Sequence, residues 1–301
     1  MAAMCSLQAE IFLLLFVGFL ARRLEIITES GRKCLSGMVI KIILPFNIVK
    51  SFCISWSAEI FHESLLVLTA AILAQILYLI LSKILYRHVR RDKSIILQYG
   101  TICSNAGFMG NPIVETIYGS EGLLYASIAL IPLRVAMWSS GLSLFTKADK
   151  KTMAKKVLLH PCMIAVYIGF ALMLSQLQLP GFLNQFISSV AGCNTAVSMI
   201  VIGAVLAEMN GKALLDKDLF YYSAIRLLGI PLLILFVMKG LGCDALLTGV
   251  TVLLAAMPAG STTVLLADSY GGNSEYASAC VFLSTVLSLV TLPVISTLLF
   301  M

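Results

Sequence analysis

The chain has 301 residues, 59% of them hydrophobic and 12% charged, and its mean hydropathy is +0.98. A soluble domain carries roughly twice that charge fraction and could not hide so much apolar surface in one core, which excludes an ordinary globular protein and points to a bilayer. The net charge of +6 rests on a few bases in short loops, a pattern that fits one membrane face and excludes a nucleic-acid footprint.

Ten apolar runs follow in chain order, at residues 6–22, 34–56, 61–86, 94–117, 121–146, 155–176, 184–207, 218–239, 244–269 and 274–300. Each is long enough to cross a bilayer as a helix. Helix is required because lipid cannot satisfy an open strand edge. The first run has Arg22 and Arg23 after it and no base-rich segment before it, so it reads as a retained span and not as a cleaved leader. Sixteen of the 21 Lys and Arg fall in alternate loops, among them Arg32, Lys33, Lys93, Lys150 and Lys217. That asymmetry predicts cytoplasmic odd-numbered loops and both termini outside, in a plasma or bacterial inner membrane. The eight cysteines are scattered and contain no CxxC, and His62, His88 and His160 lie far apart, so neither a metal site nor a cofactor is expected.

The two halves, residues 1–150 and 151–301, look alike. Val17-Gly18-Phe19 is matched by Ile168-Gly169-Phe170, and Tyr125-Ala126-Ser127 by Tyr276-Ala277-Ser278, each 151 residues on. Repeats of five spans, an odd number, must have inverted topology, a recurring transporter plan. Spans 4 and 9 are both interrupted. Span 4 carries Asn105-Ala106-Gly107 and then Gly110-Asn111-Pro112, while span 9 carries Pro258-Ala259-Gly260-Ser261-Thr262. Pro lacks an N–H and disfavours continuous helix. One reading is two kinked helices; the sharper one is two discontinuous helices meeting at the midplane, with half-helix N-termini turned to an anion. The candidate helix breakers are Gly107, Pro112, Pro258 and Gly260.

These segments, with Leu44-Pro45 of span 2 and Met137-Trp138-Ser139-Ser140-Gly141 of span 5, resemble the auxin efflux carrier family, which includes plant PIN-formed carriers and bacterial relatives. The resemblance covers nearly the whole chain. It implies an all-α integral membrane protein of ten helices in two inverted repeats, with helices 4 and 9 crossed. It further implies scaffold helices 1, 2, 6 and 7, transport helices 3–5 and 8–10, homodimerisation and small organic anions as cargo. The short basic segment between spans 5 and 6 departs from the long hydrophilic one of many plant carriers and looks bacterial. Sodium-coupled relatives carry an acid at the span 9 break; Ser261, Thr262 and Thr263 stand there instead, which argues against sodium and leaves protons or the membrane potential as the drive.

The expected substrate site consists of Asn105, Asn111, Arg134, Ser261 and Thr262. Arg134 lies within span 5, where a lone charge is costly; it either meets a substrate carboxylate or pairs with Glu115. Lys41 either serves the carbonyl freed by Pro45 or snorkels to the cytoplasmic face. Glu115 and Asp268, at equivalent repeat positions, are candidate coupling groups or interfacial carboxylates. Arg226 reads as a scaffold or interface charge. No catalytic residue is expected, since HExxH, GxSxG and aspartate-rich magnesium motifs are absent from the sequence. A secondary transporter of carboxylates is the leading reading; a ligand sensor or a channel on the same fold is the alternative.

Overall fold

A computed structural model describes residues 2–53, 57–146, 151, 154–155, 158–177, 179–207 and 216–299, and among these every regular element is helical. The first half contains α1 (Ala2–Arg23), α2 (Glu29–Met38), α3 (Leu44–Ser51), α4 (Ala58–Leu85), α5 (Arg91–Ile102) and α6 (Asn111–Ala136). The second contains α7 (Pro161–Ser175), α8 (Gly181–Gly192), α9 (Asn194–Ala207), α10 (Lys217–Ala224), α11 (Ile230–Gly240), α12 (Ala245–Ala255), α13 (Thr262–Ser269) and α14 (Ser274–Leu299).

Among the described residues, six stretches are long and apolar enough to cross a membrane: Glu29–Ser51, Glu59–Leu85, Ala106–Leu144, Gly181–Ala207, Lys217–Gly240 and Ser274–Leu299. Pro161–Ser175 and Ala245–Ala255 are shorter apolar helices. The 39 residues of Ala106–Leu144 would span nearly twice a bilayer core if straight, but the chain turns at Gly119, whose φ of 66° only glycine adopts freely. Leu65, Leu73, Ile76 and Ile80 make one face of α4 exposed and apolar, as a lipid-facing helix requires. This is a multi-pass helical membrane protein.

Besides the π-helical turn at Met137–Gly141, which no proline follows, three spans among the described residues carry one at Val39–Ile43, Ala106–Gly110 and Ile225–Gly229. Each is followed two residues later by a proline, Pro45, Pro112 or Pro231, in the first turn of the next α-helix. The cause is common: proline donates no hydrogen bond and its ring crowds the carbonyl four residues back, so the ladder widens by one residue ahead of it. Pro112 therefore widens and restarts a helix. The true break in that span lies upstream, at 103–105, and Gly107 sits inside the widened turn.

The close contacts explain the repeated glycine. α1 lies along α9, where a methyl on Gly203 would overlap the Leu15 carbonyl and one on Gly18 the Ile200 carbonyl. In the second half, Gly169 of α7 receives the ring of Phe52, which stacks obliquely on Phe170 at 4.9 Å. α3 packs on α7 and α8, α6 on α4 and α12, and α14 on α5, α10 and α13. At one end, Asp216 caps α10 by accepting the Asp218 N–H at 2.9 Å and also pairs with Lys93 of α5.

Candidate functional site

α5 ends at Ile102 and α12 at Ala255, and the two non-helical segments that follow meet. The Asn105 N–H donates to the Pro258 carbonyl at 2.8 Å, and the Gly260 N–H to the Cys103 carbonyl at 3.1 Å. Ser104 and Ala259 thereby form an antiparallel bridge one residue pair wide. The other freed groups are met by side chains. Gln75 of α4 donates to the Ile102 carbonyl at 3.1 Å, and the Ala259 N–H donates to Ser284 of α14 at 3.2 Å. Non-helical backbone is tolerated deep in a membrane protein only when its polar groups find such partners.

Beside this crossing lies a cavity of about 410 Å³. Asn105, Ser261 and Thr262 form its polar end; Phe108, Val201, Ile202, Leu206, Val281 and Phe282 supply apolar wall; Arg32 and Lys33 also line it. Asn105 is only 6% exposed, yet its side-chain amide has no hydrogen-bond partner among the described residues. Thr262 accepts a hydrogen bond from the fully buried Tyr99 at 3.2 Å, which fixes its hydroxyl. Asn105 precedes the turn that leads into α6, and Ser261 precedes α13, so both second halves begin at the cavity with their positive ends. The arrangement suits a carboxylate at one end of an apolar body: neutral donors and helix ends hold charge without desolvating a buried cation.

The profile of a family described as "Membrane transport protein" matches residues 3–157 and 150–296. The chain belongs to that family. Auxin efflux carriers are members of the same membrane transport protein family, which makes the sequence resemblance a kinship. Among relatives, an "Uncharacterized transporter" of Methanothermobacter thermautotrophicus is 28% identical over 299 residues, 96% of each chain. An "Uncharacterized transporter" of Methanocaldococcus jannaschii is 23% identical over 94% of each chain. A Rhizobium meliloti protein named "Putative malonate transporter" is 24% identical over 139 residues, 46% of this chain and 43% of that one.

Of the residues singled out by sequence in this membrane transport protein, Asn105, Ser261 and Thr262 come together at the cavity, with Pro258 and Gly260 in the break itself. Asn111 does not line the cavity; it is fully buried, and neither atom of its amide has a partner among the described residues. Arg134 is likewise buried elsewhere, with Nη1 3.4 Å from the Ser127 carbonyl and the Cys162 thiol beside it. The pair of Arg134 with Glu115 is not formed, because Glu115 accepts from Asn47 of α3 at 3.2 Å instead. Lys41 is exposed in the Val39–Ile43 turn, and the Asp268 side chain lies outside the described residues. Sequence reasoning passed over Gln75, Tyr99 and Ser284, which hold the break. For Gln75 the available signal was a polar side chain alone in an apolar run.

Proposed function

We propose that this protein is a secondary carrier of small organic anions that works by alternating access around the crossing. The observation that carries the reading is the cavity whose polar end is built from both breaks at once, Asn105 from one and Ser261 with Thr262 from the other. Arg32 and Lys33 draw anions into it from the face that the base asymmetry assigns to the cytoplasm. On α3, Asn47 lies about 20 Å further along the same span and bonds Glu115 of α6, and on this reading that bond closes the opposite side. Ten spans in two inverted repeats, with helices 1, 2, 6 and 7 as scaffold and the others moving, would open each side in turn.

The apolar wall favours a carboxylate with an aromatic or aliphatic body. A short dicarboxylate fits if its second carboxylate reaches Arg32 or Lys33, and the malonate in one relative's name makes it the natural comparison. Thermal unfolding of the purified protein against phenylacetate, malonate and neutral controls tests this, because a ligand of the native state raises the midpoint. The reading requires a saturable shift with at least one carboxylate, lost in Asn105→Ala. A shift with none of a broad set of small carboxylates overturns it.

A further inference from the structure

A charge is buried near the crossing. Arg226, in the π-helical turn Ile225–Gly229, is 0% exposed, and its Nε and Nη1 have no hydrogen-bond partner among the described residues. Among the described residues no carboxylate pairs with it. Its guanidinium lies over the Tyr78 ring at 5.2 Å. Tyr78 in turn lines a cavity of about 40 Å³ together with Gln75, Ser104, Thr251 and Leu254. Those residues hold or belong to the end of α5, the break after it and the last turns of α12. One turn before Arg226, Tyr222 brings its hydroxyl to 2.6 Å from where a Gly100 side chain would begin, near the end of α5. Arg226 is therefore one ring away from the small cavity that Ser104 of the break also lines, and it does not line the 410 Å³ cavity.

A buried cation without a carboxylate partner is expensive within a membrane, so its place calls for a compensating charge. The helix ends supply it, at about half a charge each. α5 and α12 both terminate at the crossing, and a helix C-terminus carries partial negative charge. At the large cavity, the N-termini that face Asn105 and Ser261 carry the opposite sign. Without a cation near them, the C-terminal ends would cancel much of the positive potential that the N-terminal ends project into the cavity.

We propose that Arg226 is the fixed charge that makes the crossing selective for anions: it neutralises the C-terminal helix ends and leaves the cavity positive, without touching the substrate. This rests on the carrier reading above. It makes Arg226 a specificity-determining residue, and it predicts a split that a merely structural arginine would not show. Removing the charge weakens carboxylate binding and leaves the binding of a neutral isostere alone.

The test compares phenylacetate with phenylacetamide, and malonate with malonamide, on the parent protein, Arg226→Met and Arg226→Lys. A unit charge a few residues away across low-dielectric protein is worth about tenfold in affinity, so Arg226→Met should raise the carboxylate dissociation constant about tenfold and leave the amide unchanged. Arg226→Lys keeps the charge and should keep the preference. Equal weakening of carboxylate and amide, or an unchanged carboxylate constant, overturns the proposal while leaving the carrier reading intact. Should Arg226→Met fail to fold, loss of the carboxylate preference in Arg226→Lys does the same. A parent that binds neither carboxylate removes both the carrier reading and this one.

Discussion

Gly260 and Gly107 look alike in sequence, each following an alanine at an interrupted span, but the structure gives them opposite tolerances. A Cβ on Gly260 would stand 3.0 Å from the Cys103 carbonyl oxygen and 3.2 Å from that of Ser104, inside ordinary contact at 3.4 Å or more. Both neighbours are backbone and cannot swing aside. The two breaks must then part by a few tenths of an ångström, which strains the Gly260–Cys103 and Asn105–Pro258 hydrogen bonds. Losing one of these and leaving buried groups unpaired costs about 1–3 kcal/mol, offset by up to about 1 kcal/mol from the lower chain entropy of alanine when unfolded. Gly107 has nothing within 4 Å of its would-be Cβ. Gly107→Ala should therefore be neutral or stabilising by up to about 1 kcal/mol. Thermal unfolding in detergent and carboxylate titration measure both variants. Gly260→Ala should melt lower and bind more weakly, Gly107→Ala should do neither, and equal behaviour of the two would refute the crossing geometry as the determinant.

Other expectations follow from the same contacts. Asn105→Ala should weaken carboxylate binding by about 1.5–3 kcal/mol, the size of a hydrogen bond to a charged group, or roughly ten- to a hundredfold by titration. Asn47→Ala removes the donor that Glu115 accepts from, so an impermeant thiol reagent added outside should reach a cysteine introduced at position 111 faster; an unchanged rate would mean the bond is not a gate. Asp216→Ala should cost about 1 kcal/mol more than Asp216→Asn, since asparagine keeps the cap on Asp218 N–H and loses only the pair with Lys93. For Asp216, partial burial pushes the carboxyl up, but the Lys93 hydrogen bond, the Asp218 N–H and the Lys93 charge together hold it below the usual range. Its contribution is thus complete above about pH 4 and is lost as pH falls through the lowered value, so the stability gap between parent and Asp216→Asn should close in that acid window.

The membrane character and the interruptions at the two spans were legible because bilayer length and Gly/Pro punctuation are local properties. That Asn105, Ser261 and Thr262 lie close together was legible for the same reason, since each stands beside one of the two breaks. Pro112 misled by position, since a proline widens the helix before it without ending it there, and the break belongs to Cys103, Ser104 and Asn105. The fate of Arg134, Glu115 and Arg226 depended on packing between distant spans. No spacing rule says that Glu115 meets Asn47 across 68 residues, or that Arg226 lies over Tyr78. The same holds for Gln75 and Ser284, whose roles appear only once the breaks they serve are brought to them.

The most direct test of the carrier reading is exchange of a labelled carboxylate in proteoliposomes, using the tightest ligand from the thermal screen, with parent and Asn105→Ala protein side by side. The account predicts saturable uptake that accelerates when unlabelled substrate is loaded inside, and uptake reduced at least about tenfold, at subsaturating substrate, in Asn105→Ala. Uptake that rises linearly with concentration and ignores internal substrate, or an Asn105→Ala protein that exchanges at the parent rate, would contradict it.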